Sequence, residues 1–77
     1  MYEEKLREIL NSVKPSIKRY TGDHLISDGM LESIEIMEIV SEIESTFDIM
    51  VEPQYIVPEY FESIKTLEQL IMDVKKG

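Results

Sequence analysis

Helical spacing of apolar residues is the feature that most constrains how this chain can fold. Apolar side chains recur at intervals of three and four residues in three segments, Tyr2 to Val13, Ser33 to Phe47 and Thr66 to Val74. This spacing places apolar side chains on one face of an α-helix. No segment alternates apolar and polar residues in the manner of a strand. The sequence therefore predicts an all-α fold.

The length of the chain limits it to a single domain. A second core could not be buried within 77 residues, whereas an apolar content of 43% is enough for one modest core. The sequence contains no cysteine, so neither a disulfide framework nor a thiolate zinc site can stabilise the fold. We therefore expect residues 1–77 to form one domain that is held together by packed helices.

The first half of the chain predicts two helices separated by a long loop. Helix I covers Tyr2 to Val13 and ends ahead of Pro15, because a residue that precedes proline is disfavoured in the helical conformation. Pro15 to Glu32 shows no sustained helical period, so we expect a loop there. Three apolar side chains of this loop are expected to turn inward: Leu25, Ile26 and Leu31. Helix II runs from Ser33 to Phe47.

The second half predicts a short helix III and a longer helix IV. Pro58 suits the first position of a helix, and Tyr60 and Phe61 would anchor helix III. Helix IV begins with Thr66, and Gln69 follows three residues later as in a capping box. The complete prediction is a four-helix bundle with a long loop between helices I and II and a short helix III.

Helix II carries two sets of apolar residues. The stripe predicted to face the core consists of Ile36, Val40, Ile43 and Phe47, with Ile39 on its flank. Ile34 and Met37 are not part of this stripe. We expect both to lie near the surface, beside Ser33.

Acidic residues dominate the middle of the chain. The formal net charge is −8, and eleven Asp and Glu residues lie between Tyr20 and Ile64, a segment that contains no Lys or Arg. Such a charge repels nucleic-acid phosphates and anionic lipid, and it favours a partner protein with a basic patch. The alternative is a solvated acidic face that only aids solubility.

The sequence contains no recognisable membrane or export signal. No apolar run approaches the roughly 20 residues that a bilayer crossing requires. The N-terminal stretch "MYEEKLREIL" is charged where a signal peptide is hydrophobic. We expect a cytoplasmic monomer that does not insert into membranes.

Few residues are available for catalysis or metal binding. A nucleophilic serine needs a base, and the single histidine, His24, lies in the long loop. The three glycines form neither a P-loop nor a dinucleotide fingerprint, and the acids do not follow EF-hand spacing. The sequence therefore predicts neither an enzyme nor a metal site.

Ser33, at the start of helix II, permits two interpretations. As an N-cap, its hydroxyl would accept a hydrogen bond from a free backbone N–H of the first turn. Alternatively, a serine exposed after a glycine-containing turn is accessible to modification by another enzyme. Spacing alone favours the cap.

The start of helix II resembles that of the acyl carrier proteins and their peptidyl and D-alanyl relatives, in the stretch "DGMLESIEIMEIVSEIESTFDI". Glu32, Ser33 and Ile34 stand in place of the Asp-Ser-Leu motif whose serine carries 4′-phosphopantetheine in that family. Gly29 and Met30 match the turn before the motif. The length, the acidic charge and the order of the helices extend the similarity over essentially the whole chain.

The resemblance implies a carrier that is not itself an enzyme. A phosphopantetheinyl transferase would attach 4′-phosphopantetheine from coenzyme A to Ser33. The thiol of that arm would hold acyl or aminoacyl groups as thioesters for ligases and synthases with basic patches, in fatty-acid, polyketide or related biosynthesis. The resemblance also implies a set of partner-contact positions on helix II: Glu32, Ile34, Glu35, Met37, Glu38 and Glu44.

Departures from the family pattern leave alternatives open. Glu32 replaces the usual Asp, and Ser41 and Ser45 replace a methionine and an acid of fatty-acid carriers. The segment between Phe47 and helix IV is longer than in those carriers, which is closer to D-alanyl and other stand-alone aminoacyl carriers. An unmodified acidic helical adaptor is a second alternative. A hydrolase that uses Ser33 is disfavoured, because no base is apparent.

Overall fold

A computed structural model of the protein describes residues 2–76, which form three α-helices and no strand. The α-helices are α1 (Glu3–Val13), α2 (Ser33–Phe47) and α3 (Ile64–Lys76). Short 3-10 helices cover Pro15–Arg19, Pro53–Tyr55 and Pro58–Phe61. The all-α prediction is confirmed for this range. None of its helices has the length and apolar character that crossing a bilayer requires.

The first helix ends where the proline predicts, but the chain does not become irregular there. Lys14, ahead of Pro15, leaves the helical region with φ −143° and ψ 93°. Pro15 then opens the 3-10 helix Pro15–Arg19, in which Ile17 is buried. The prediction of a loop from Pro15 onward is therefore wrong for these five residues. Burial of Ile17 is a tertiary contact that helical periodicity over so short a segment does not indicate.

The second helix has the predicted bounds, but its buried face is distributed differently. Ile39 and Ile43 are fully buried and Val40 nearly so, whereas Ile36 and Phe47 are half-buried. The placement of Ile39 on the flank of the buried stripe is therefore wrong. Ile36 and Phe47 lie toward the two ends of α2, where fewer neighbouring elements cover the helix.

The core gathers side chains from all three α-helices, from the 3-10 helices Pro15–Arg19 and Pro58–Phe61, and from the connecting loops. The fully buried side chains are Leu6, Ile39, Ile43, Phe61, Leu67, Leu70 and Ile71. Phe61 belongs to the 3-10 helix Pro58–Phe61, which occupies the position predicted for helix III and begins at the predicted proline. Phe61 thus anchors the segment between α2 and α3.

The third helix begins at Ile64, two residues before the predicted start. Ser63 Oγ accepts a hydrogen bond from the backbone N–H of Thr66 at 3.2 Å, and Thr66 Oγ1 accepts one from the N–H of Ser63 at 3.0 Å. These reciprocal bonds satisfy two free donors at the helix start. The cap is therefore Ser63 with Thr66, and the prediction of Thr66 with Gln69 is wrong. Gln69 instead donates to Asp73 Oδ1 at 2.8 Å.

Candidate functional site

Ser33 is the first residue of α2 and is exposed to solvent. The N-cap is Glu32, whose backbone is extended with φ −108° and ψ 168°. Glu35 Oε1 accepts a hydrogen bond from the backbone N–H of Glu32 at 2.8 Å, and the two glutamates form a capping box. Ser33 is therefore not the cap, and that interpretation of the sequence is wrong. The spacing of Glu32 and Glu35, three residues apart in the sequence, could have indicated this capping box.

The hydroxyl of Ser33 makes no hydrogen bond to any other group within residues 2–76. Its oxygen is therefore free to react with a molecule from solution. His24, the one histidine of the sequence, lies in the loop with its Nδ1 2.8 Å from Asp23 Oδ1, and no hydrogen bond joins it to Ser33 within the described residues. In chemical terms the site presents an exposed serine oxygen.

Glu62 holds the loop that leads to Ser33. Its Oε1 accepts hydrogen bonds from the backbone N–H groups of Ile26 at 2.8 Å and Ser27 at 3.1 Å, and its Oε2 accepts one from Ser27 Oγ at 2.6 Å. The Leu25 N–H donates to the backbone carbonyl of Glu62 at 2.8 Å. The Ser27 hydroxyl, followed by the backbone donors, lowers the pKa of Glu62 below its usual value. No local pattern in the sequence indicates this role of Glu62.

The loop closes on itself just before Ser33. The carbonyl of Leu25 accepts the backbone N–H groups of Met30 at 2.8 Å and Leu31 at 3.2 Å. Gly29, directly before Met30, has φ +74°, a left-handed conformation that glycine adopts without steric cost. Leu25 and Leu31 are buried, as predicted. The chain is thus anchored in the core two residues before the serine.

Tyr20 organises the outer part of the same loop. Its phenol donates a hydrogen bond to the Asp28 carboxylate and accepts one from the backbone N–H of His24 at 2.9 Å. The bond to Asp28 is the largest of the effects that raise the pKa of Tyr20. Ile26, the third of the predicted inward-turning residues, is half-buried. Side-chain bonds from both ends of the loop therefore define its shape.

An apolar surface adjoins the serine. Ile34 is 73% exposed and Met37 is 53% exposed, which confirms the prediction that both lie at the surface. Residues three and four apart are neighbours on a helix surface, so Ser33, Ile34 and Met37 share one side of the first turns of α2. Large apolar side chains exposed together are typical of surfaces that contact other molecules.

The four acidic residues expected to contact partners differ in their surroundings. Glu32 and Glu38 are exposed. Glu35 and Glu44 are partly buried, and each accepts a hydrogen bond from a backbone N–H: Glu35 from Glu32, and Glu44 from Val51 at 2.9 Å. Glu38 therefore only faces solvent, whereas Glu32 and Glu35 also stabilise the start of α2 and Glu44 stabilises its end.

Comparisons with family models, with curated proteins and with solved structures find no match to this chain. The resemblance to carrier proteins therefore depends on the residues at the start of α2 and on the order of the helices. Within residues 2–76, no group of three or more His, Asp or Glu side chains is arranged to hold a metal ion.

Proposed function

We propose that this protein is a carrier that holds 4′-phosphopantetheine on Ser33. The observation that supports the proposal most directly is the state of Ser33: it is exposed in the first turn of α2 and its hydroxyl is not used by the helix cap. Because Glu32 and Glu35 cap the helix, α2 keeps its start when the serine is modified. The residues present thus fit covalent attachment at this position.

The attachment reaction forms a bond between Ser33 Oγ and the phosphorus of the phosphopantetheine group. The P–O bond of the coenzyme A pyrophosphate breaks, adenosine 3′,5′-bisphosphate leaves, and the serine proton passes to the transferase or to solvent. The bound arm supplies a thiol, which a chain without cysteine lacks, and that thiol carries an acyl or aminoacyl group as a thioester. The chain itself only presents the oxygen, and the partner enzymes perform the chemistry.

The proposal extends to the fold. Helices α1, α2 and α3 correspond to helices I, II and IV of a four-helix carrier bundle, and the 3-10 helix Pro58–Phe61 takes the place of the short helix III. Full burial of Phe61 fits the role of anchor for that segment. We expect the protein to act as a cytoplasmic monomer.

Partner enzymes with basic patches are proposed to contact α2 around Ser33. Ile34 and Met37 provide an apolar centre, and the exposed Glu32 and Glu38 provide charge at its rim. Rim charges favour fast association, which suits a carrier whose partners must exchange in turn.

Glu35 and Glu44 are proposed to contribute less to partner binding than their positions imply. A carboxylate oxygen of each already accepts a backbone N–H, and Lys14 Nζ lies 3.4 Å from Glu35 Oε1. A partner's cation would therefore compete with bonds inside the protein at these two residues. Glu38 is exposed and involves no such competition, whereas Glu32 also takes part in the capping box.

An aminoacyl carrier, such as a D-alanyl carrier, is the second candidate. Ile39, Ile43 and Phe61, which could have lined an acyl cavity, are fully buried in the packed core. A surface groove of about 600 Å³ lies between α1, the loop and the start of α3, and no residue of α2 lines it. A small amino acid needs no interior cavity, so the position of this groove, away from α2, favours the aminoacyl cargo over a long acyl chain.

Intact mass tests the attachment site. Wild-type protein, Ser33→Ala and the matched control Ser41→Ala, also an exposed serine of α2, are incubated with coenzyme A, magnesium and a broad-specificity phosphopantetheinyl transferase. We expect one added phosphopantetheine on wild type and on Ser41→Ala, and none on Ser33→Ala. Because Ser33 is not the cap, its replacement should leave the melting temperature nearly unchanged. If several transferases leave the folded wild type unmodified, the acidic adaptor becomes the better interpretation.

A further inference from the structure

Glu62 is distant from Ser33 in the sequence, but the loop that it binds leads directly to that serine. We propose that Glu62 is a positioning residue for the modification of Ser33. Its carboxylate holds the loop in place, and the loop in turn sets the position in which the start of α2 is presented to the modifying enzyme. The inference rests on the proposed function, because it concerns how Ser33 is presented to a phosphopantetheinyl transferase.

Both oxygens of the Glu62 carboxylate take part in the contact. Oε1 accepts two backbone N–H groups, from Ile26 and Ser27, and Oε2 accepts the Ser27 hydroxyl. Three bonds to two adjacent residues fix the orientation of the carboxylate as well as its distance. Hydrogen bonds to a carboxylate are also stronger than those between neutral groups. The contact therefore restrains both the position and the direction of the chain at Ile26 and Ser27.

The restraint reaches Ser33 through the backbone of Leu25. The Leu25 N–H is bonded to the carbonyl of Glu62, and the Leu25 carbonyl accepts the N–H groups of Met30 and Leu31. Leu31 is the second residue before Ser33. A displacement of the segment bound by Glu62 would therefore move the residues that set the entry to α2.

The hydrophobic core does not depend on this carboxylate. Leu25 and Leu31 are buried and hold the loop on the core by their own side chains. Removing the negative charge of Glu62 should consequently loosen the loop without unfolding the protein. A loosened loop presents Ser33 in the correct geometry for only part of the time, and a reduced population of the binding-competent state weakens apparent affinity in proportion.

The test uses full-length Glu62→Gln with Glu59→Gln as the matched control. Glu59 lies in the 3-10 helix Pro58–Phe61, which Glu62 directly follows, is exposed, and makes no hydrogen bond through its carboxylate within residues 2–76. Ser27→Ala removes one of the three bonds and serves as a milder second variant. Backbone amide exchange at Ile26 and Leu31 reports the loop, and the initial rate of Ser33 modification against carrier concentration gives KM and kcat.

We expect Glu62→Gln to speed amide exchange in the loop and to raise the KM for modification by about tenfold, with little change in kcat. Ser27→Ala should give a smaller shift in the same direction, and Glu59→Gln should match wild type. Because the carrier is the substrate in this assay, loss of folded protein would also raise the apparent KM. Amide exchange in the core separates the two causes: at Ile39 it should match wild type if Glu62 acts by positioning, and it should quicken along with the loop if the variant is only less stable.

Two results would overturn the inference. Loop amides that exchange as in wild type would show that Glu62 does not hold the loop. Faster exchange with an unaltered KM would show that the loop does not position Ser33, while the assignment of Ser33 as the attachment site would stand. Failure of every transferase to modify wild type is a different outcome, which overturns the proposed function and this inference together.

Discussion

The connections on the two sides of α2 are closed by the same type of bond, made over different distances in the sequence. Before α2, Glu62 accepts the backbone N–H groups of Ile26 and Ser27, which are 36 and 35 residues away. After α2, Glu44 accepts the N–H of Val51, only 7 residues away. The exit from α2 therefore closes by local contact, whereas the entry to α2 takes its shape only when the loop lies against Glu62, ahead of α3.

The two connections also differ in how they reverse direction. Each contains one left-handed residue: Gly29 with φ +74° before α2, and Asp48, the C-cap, with φ 54° after it. Glycine adopts this conformation freely, whereas a residue with a Cβ is strained there by about 1 kcal/mol. The side that carries Ser33 is thus relaxed and held by distant contacts, and the other side is strained and held locally.

The largest expected effect is that of Gly29→Ala, which would impose on the entry the strain that the exit carries. No atom lies within 4 Å of a Cβ built at Gly29, so the change introduces backbone strain and no clash. The free energy of unfolding should fall by about 1–2 kcal/mol, measured by urea unfolding. Thr21→Ala, in the same loop, is the control and should stay within about 0.5 kcal/mol of wild type. An unchanged Gly29→Ala would mean that the entry does not require a left-handed residue.

Asp48→Gly makes the reverse change at the exit. Glycine relieves the strain of the left-handed C-cap, but it also increases the freedom of the unfolded chain. The net result should be a gain of about 0.5 kcal/mol in the free energy of unfolding, from the same measurement. Asp48→Ala, which keeps a Cβ in a conformation that alanine disfavours, should lose stability. A loss with glycine as well would show that the aspartate side chain, and not the backbone, determines stability at the exit.

Local signals in the sequence predicted much of this molecule. The bounds of α2 and the exposure of Ile34 and Met37 follow from helical periodicity. The residues expected to cap α2 and α3 were the wrong ones, because a second candidate lay close by: the adjacent residue at α2 and a residue three positions earlier at α3. At α2 the glutamate ahead of Ser33 is the cap, and at α3 Ser63 takes the place expected of Thr66.

Tertiary contacts could not be predicted in the same way. No local pattern connects Glu62 with Ile26 and Ser27, because the bonds form only when the loop lies against the start of α3. Burial of Ile17 likewise stabilises a 3-10 helix that no periodicity indicated. The sequence also could not show that the Ser33 hydroxyl makes no hydrogen bond, because this depends on which neighbouring side chain accepts the free backbone N–H groups in the first turn of α2. The contacts that position Ser33 were therefore the part of the site that the sequence predicted least.

The smallest expected effect is the pH dependence of the stability that the Glu62 carboxylate contributes at the entry to α2. Hydrogen bonds from Ser27 Oγ and from the backbone N–H groups lower the pKa of Glu62 in the folded protein. A carboxyl whose pKa is lower in the folded state stabilises the fold above its unfolded pKa, near 4.3, and loses this contribution as the pH falls through the folded pKa. The pKa of Asp73 is also lowered, first by Tyr60 and then by Gln69, so wild type alone cannot isolate Glu62.

Glu62→Gln isolates the entry, because Asp73 is common to both proteins. Its free energy of unfolding should lie below that of wild type near neutral pH, and the difference should shrink as the pH falls below about 4. Urea unfolding of both proteins at several pH values gives this difference directly. A difference that stays constant into acid would mean that the ionised carboxylate contributes nothing beyond what an amide provides. The long-range bonds before α2 would then act only through their geometry.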